Sequence, residues 1–161
     1  MIFFQDVKSR SVYWILFPVL AGSLLLLNFF QNDGLKWSWQ PVLFNIGFFL
    51  GQLMLVTVYF SIRNKKLTNV TTGLLGLGDV LFILCTAFYL SILNFLFFYI
   101  TSLTAVLLLW LIWQSATPVK SRHIPLAGLQ ALLFAGFLLG GWWFKKWDLT
   151  DDTWVLNLIS R

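Results

Sequence analysis

Residues 80–113 read VLFILCTAFYLSILNFLFFYITSLTAVLLLWLIW, 34 positions without one charged side chain. A helix of that length in water would show a polar face, and this run shows none. A membrane crossing takes roughly 20 apolar residues. The run is therefore too long for one crossing and about long enough for two short ones. Small and amide residues interrupt it at 91–94, with Ser91 and Asn94 among the leucines and phenylalanines, so the break is expected there, although neither Gly nor Pro marks it.

Outward from this stretch lie three more apolar runs, at 12–30, 41–62 and 124–143, each near the length of one span. The pattern predicts an all-α, polytopic transmembrane helix bundle of about five spans, at 12–30, 41–62, 79–92, 95–113 and 124–143. Composition agrees: 59% of the 161 residues are hydrophobic and 11% charged, with a mean hydropathy of +0.82. A soluble domain this small leaves too much surface wet to hide that load. Residues 1–147 are expected to form a single transmembrane domain. Residues 148–161 read as a short polar tail, with Trp154, Leu156 and Ile159 spaced for one face of an interfacial helix. The first 27 residues mimic a secretory signal, but their apolar stretch is too long and further spans follow, so a retained first helix is expected.

Charge tests the count. With the break, one side of the membrane collects Lys8, Arg10, Arg63, Lys65, Lys66, Lys120 and Arg122. The other side collects Lys36, Lys145, Lys146 and Arg161, offset by Asp33, Asp148, Asp151 and Asp152. Without the break, Lys120 and Arg122 would lie outside. The positive-inside rule therefore favours five spans, with the N-terminus cytoplasmic and the C-terminus outside. The net charge of +5 reads as orientation charge, and no nucleic-acid partner is implied; the partner implied is the lipid bilayer. Trp37, Trp39, Trp110, Trp113, Trp142, Trp143 and Trp147 fall near predicted helix ends, as interfacial belts require. Gly47/Gly51 and Gly136/Gly140 are GxxxG pairs, which allow close helix approach. The single cysteine, Cys85, sits in an apolar run and offers neither a disulfide nor a zinc spacing. No HExxH, GxSxG or P-loop sequence is present, and His123, the sole histidine, reads as an interfacial residue of a basic loop.

The chain has no Glu, so its six acids are all Asp. Four fall in outer loops. Asp6 and Asp79 fall at the cytoplasmic edge of predicted helices, where an ionised carboxylate near hydrocarbon is costly and marks a candidate site. Asp79 ends Gly73-Leu74-Leu75-Gly76-Leu77-Gly78 and precedes an apolar helix. It reads either as an N-cap after a glycine turn or as a functional acid. Asp6, beside Lys8 and Arg10, reads either as a solvated juxtamembrane charge or as its partner. Two carboxylates that meet near a bilayer titrate as a unit, and one can then deprotonate water while the other protonates a carbonyl oxygen.

Gly76-Leu77-Gly78-Asp79-Val80 resembles the GxGD motif of intramembrane aspartyl proteases, in particular the type IV prepilin peptidase and preflagellin peptidase family. In that family a first Asp opens a basic segment of the form D-x-[RK]-x-[RK], which Asp6-Val7-Lys8-Ser9-Arg10 is similar to. Arg122-His123-Ile124-Pro125 resembles the basic-then-Ile-Pro entry to the family's last helix. A rival register, Ser61-Ile62-Arg63-Asn64-Lys65, would put Ser where the acid belongs. The resemblance implies a membrane-embedded aspartic endopeptidase with Asp6 and Asp79 catalytic and with Gly76 and Gly78 admitting the substrate backbone. The implied substrate is a pilin-like precursor, cut at the cytoplasmic face of a bacterial inner membrane, and no metal or organic cofactor is implied. Four features depart from the family. Only Met1 to Gln5 precede Asp6, where a full helix is usual; Leu81 stands where a lysine often follows; Ser11-Val12-Tyr13 replaces the Ile-Pro-Asn that follows the first basic segment; and the cysteine-bearing region that accompanies methyltransferase activity has no counterpart. The alternatives are an inactive relative acting in membrane assembly and a small transporter or channel subunit, the latter disfavoured by the lack of charge near any span centre.

Overall fold

Local signals set the helix ends. Pro41 occupies the first turn of one helix, where its missing N–H costs nothing. That helix ends at Lys65, which adopts the left-handed conformation (φ 50°, ψ 26°) and donates its N–H to the Ile62 carbonyl at 3.4 Å. Arg63 in its last turn complements the helix dipole. The computed structural model describes residues 13–31, 38–65, 76–116, 126–143 and 148–159. Among them are six α-helices and no strand: α1 Leu16–Gln31, α2 Gln40–Asn64, α3 Leu77–Ala87, α4 Ile92–Ala116, α5 Leu126–Trp143 and α6 Thr153–Ile159. By length and composition α2, α4 and α5 are able to cross a membrane, while α1 and α3 are shorter apolar helices. The chain is a helical membrane protein.

The shortest of the five apolar helices lies at the centre. α3 packs against α1, α2, α4 and α5, and α4 also packs on α2 and α5. Phe82, Ile83, Cys85, Thr86 and Ala87 of α3 are all buried. Around α3 the aromatic rings meet mostly edge to face: Phe82 with Phe134 at 6.0 Å, Phe98 with Phe134 at 5.2 Å and Phe49 with Tyr99 at 6.1 Å. The Cys85 thiol points to the Phe17 carbonyl of α1 at 3.2 Å, a packing contact. Phe82→Ala should lower stability by about 2 kcal/mol. This is the cavity share of a Phe→Ala cost, because lipid and protein core are similarly apolar and the transfer share largely cancels. A thermal melt in detergent measures it.

Consecutive helices run in alternating directions, so α1, α3 and α5 are parallel to one another. At one end, Phe17 of α1, Gly78 of α3 and Ala127 of α5 meet. At the other, Asn28 and Gln31 of α1, Asn45 of α2, the end of α3, the start of α4 and residues 148–152 meet. Exposed tryptophans mark both ends: Trp14 and Trp113 at the Gly78 end, and Trp39, Trp142 and Trp143 at the opposite one, as two interfacial belts would.

The break in the long apolar run lies earlier than its residues suggest. α3 stops at Ala87 and α4 begins at Ile92, so the turn is 88–91 and Asn94 lies inside α4. The cause is non-local. The Asn45 Nδ2 donates to the Leu90 carbonyl at 2.9 Å and approaches that of Ala87 at 3.4 Å, and the Asn28 Nδ2 donates to the Phe88 carbonyl at 3.0 Å. Backbone that leaves the helix at membrane depth must find such partners in the protein. Asparagines on two other helices supply them, so no Gly or Pro is needed. The glycine pairs also differ from expectation. A methyl group on Gly47, Gly51 or Gly136 would meet nothing within 4 Å, because these faces turn away from α3 and no helix of this bundle approaches them.

Candidate functional site

Gly76 is extended (φ −67°, ψ 142°) and caps α3, which makes Asp79 the third residue of the helix rather than its N-cap. From there the Asp79 carboxylate turns back, and its Oδ2 accepts the Gly76 N–H at 3.1 Å. The Asp79 and Val80 N–H groups donate to the Gly76 carbonyl at 3.0 and 3.3 Å. The first turn of a helix favours a negative side chain. A Cβ on Gly76 would lie 3.2 Å from Asp79 Oδ2, so the glycine lets the carboxylate fold in tightly. Asp79 is partly buried, at the rim of the bundle, with Gly76 and Leu77 exposed beside it.

Gly78 has different neighbours. A Cβ there would sit 3.6 Å from Phe17 Cζ and 3.9 Å from the Ala127 Cβ. These are ordinary van der Waals distances, so α1 and α5 pack on the first turn of α3 here without requiring glycine. The expected roles of Gly76 and Gly78 toward a substrate are thus overlaid on a capping contact and a packing contact. Asp6 lies outside the described residues, as do Lys8, Arg10, Lys66, Lys120, Arg122 and His123. It precedes Tyr13, at the start of the described chain beside α1, by seven residues, a stretch that reaches at most about 25 Å. Arg63 and Lys65, at the end of α2, are exposed. Among the described residues no group of three or more His, Cys, Asp or Glu side chains could hold a metal ion.

A second polar cluster, missed in the sequence, holds the opposite end. Asp152 reads as one of several exposed loop acids, yet its Oδ1 accepts from Ser91 Oγ at 2.6 Å and from the Leu93 N–H at 3.0 Å. It caps α4 from across the bundle. Asn94 is fully buried, and its Nδ2 donates to Ser91 Oγ at 2.7 Å, the Asp151 carbonyl at 2.9 Å and the Leu149 carbonyl at 3.1 Å. The Ser91 N–H donates to the Leu149 carbonyl at 3.1 Å, and Leu149 itself is buried in the core. Residues 148–152 therefore form a strap over the turn between α3 and α4, followed by α6, whose Val155 is buried. Tyr89 in that turn donates its hydroxyl to Gln31 Oε1 at 2.9 Å. The available signal was amide side chains inside apolar runs, which a search for charged residues passes over.

A further amide lacks such partners. Gln130 of α5 is fully buried, with both Oε1 and Nε2 unbonded among the described residues. An unpaired buried polar group costs roughly 1–3 kcal/mol. No family model, curated protein or solved structure matches this chain.

Proposed function

We propose that this protein is a membrane-embedded aspartic endopeptidase resembling the prepilin peptidases, cleaving the leader of pilin-like precursors at the cytoplasmic membrane face. One observation carries the reading. The start of α1 packs against Gly78, so the chain runs from the Asp6 segment directly into the end of the bundle where Asp79 sits at the rim. In this reading Asp6 and Asp79 share one proton. The ionised carboxylate takes a proton from water, which attacks the scissile carbonyl carbon, while the protonated one delivers its proton to the carbonyl oxygen. Collapse of the tetrahedral adduct then breaks the C–N bond as the amine leaving group takes up a proton. The exposed Arg63 and Lys65 would face anionic headgroups on this side.

The reading needs α1 and α3 to complete five crossings in a bacterial inner membrane, with the N-terminus inside and the C-terminus outside. Reporter fusions after Trp143 and after Asn64 test this. A fusion at 143 active only outside the membrane and one at 64 active only inside are expected; the reverse pair would remove Asp79 from the cytoplasmic face.

A second reading is favoured by the contacts already found for the two glycines. Helix capping alone accounts for Gly76 and Asp79, and Gly78 makes only ordinary packing contacts, as in an inactive relative that serves membrane assembly. Co-expression with pilin-like precursors separates the two: leader removal that depends on both Asp6 and Asp79 supports the peptidase, and its absence in the unaltered protein supports the assembly role.

A further inference from the structure

Gln130 is the only amide side chain among the described residues with both polar atoms buried and unbonded. Its place in the fold is specific. Ala127, Gln130 and Phe134 share one face of α5 at spacings of three and four residues. Ala127 meets Gly78 of α3, and Phe134 meets Phe82 of α3 and Phe98 of α4. Gln130 therefore lies one turn inside the Asp79 end, on the face that α5 turns to its neighbours between those contacts. The α3–α5 seam closes at Gly78, where a Cβ would have the tip of the Phe17 ring at 3.6 Å and the Ala127 methyl at 3.9 Å.

We propose that Gln130 is a peptide-binding residue, whose amide pairs with a backbone amide of a polypeptide entering between the first turns of α3 and α5 as the Phe17 ring swings aside. An unpaired side-chain amide, with its NH2 donors and its C=O acceptor, can pair with a peptide group, which offers one N–H and one C=O. A phosphate would satisfy only Nε2, and a cation only Oε1. An extended segment inside a membrane protein has unpaired backbone groups of its own and gains from such a partner. The occupant's identity as the cleavage-site segment of a pilin-like precursor rests on the peptidase reading; the seam and the amide do not. In that reading Gln130 positions the chain one turn inside Asp79 and takes no part in proton transfer.

The test separates binding from cleavage. A photo-crosslinking phenylalanine analogue at position 17, in the full-length Asp79→Asn protein, is used to capture a co-expressed pilin-like precursor, with and without Gln130→Leu. The expected result is at least a tenfold loss of captured precursor on Gln130→Leu, with the melting temperature in detergent unchanged or raised. Equal capture overturns the proposal. A lowered melting temperature also overturns it, since the amide would then have a partner within the chain. No capture with Gln130 intact overturns the occupant named here. Persistence of leader removal in the Asp79→Asn protein would sink the dyad without touching the capture result.

Discussion

Asp79→Asn should reduce leader removal on the order of 10^3-fold or more while the bundle stays folded. The asparagine is the informative replacement. Its side-chain oxygen can still accept the Gly76 N–H that Asp79 Oδ2 now accepts at 3.1 Å, so the start of α3 is preserved. What is lost is the negative charge at the helix N-terminus, about 0.3–1 kcal/mol, and the ability to exchange a proton with water. Asp79→Ala would instead remove the cap as well and confuse folding with chemistry. Asp6→Asn should match Asp79→Asn, and the double variant should be no worse than either single one, because residues acting as a unit are grossly non-additive. The measurement is the fraction of precursor processed over time, with the detergent melting temperature followed in parallel. Processing that survives either substitution removes the dyad.

Asn94→Leu should be the most damaging single change at the other end of the molecule. One buried NH2 group there serves Ser91 Oγ and the carbonyls of Leu149 and Asp151. Leucine keeps the branched heavy-atom shape but is bulkier, so at this fully buried position some overpacking adds to the lost hydrogen bonds. The Asp151 carbonyl loses this donor at roughly 1–3 kcal/mol if it stays buried, while the Leu149 carbonyl keeps the Ser91 N–H at 3.1 Å. The total expected is about 3 kcal/mol, or a fall of roughly 6–12 °C in melting temperature for a chain of this size. The strap should also lift, so Leu149→Cys, buried at present, should become reactive to a membrane-impermeant thiol reagent only in the Asn94→Leu background. Asp152→Ala should act on the same clasp, and the two losses should not add, since both remove the strap's hold on the start of α4.

Much of the architecture is visible in residue order because lipid imposes a simple code. The run 41–62 becomes α2 and the run 124–143 becomes α5 within a few residues, since length and apolarity are local properties. The turn at 88–91 is not local. It depends on Asn28 and Asn45, 60 and 45 residues away from the carbonyls they hold, and no pattern within 80–113 carries that information. Asp152 is misread for the same reason, because its exposure depends on Ser91, 61 positions earlier. At the candidate site, the glycine-flanked Asp79 is conspicuous in the sequence. The packing of Phe17 and Ala127 beside Gly78 is not, since a residue's distant neighbours are unknown until the chain is folded. Gln130 is the clearest omission. An uncharged amide in an apolar run attracts little attention, yet its isolation becomes plain once its surroundings are known.

The clasp on α4 has a consequence for biogenesis. The carboxylate that caps the Leu93 N–H comes from Asp152, 59 residues further along the chain. At ordinary rates of roughly 5–20 residues per second, α4 waits about 3–12 s after its first turn leaves the ribosome before its cap is made. During that interval the turn after α3 has the amides of α1 and α2 but no strap. The nascent chain must therefore be held at the insertion machinery, or tolerate an open end, until the segment after α5 returns to close it. By order of synthesis, the cap on α4 forms only when a short polar segment returns to a turn made well before it.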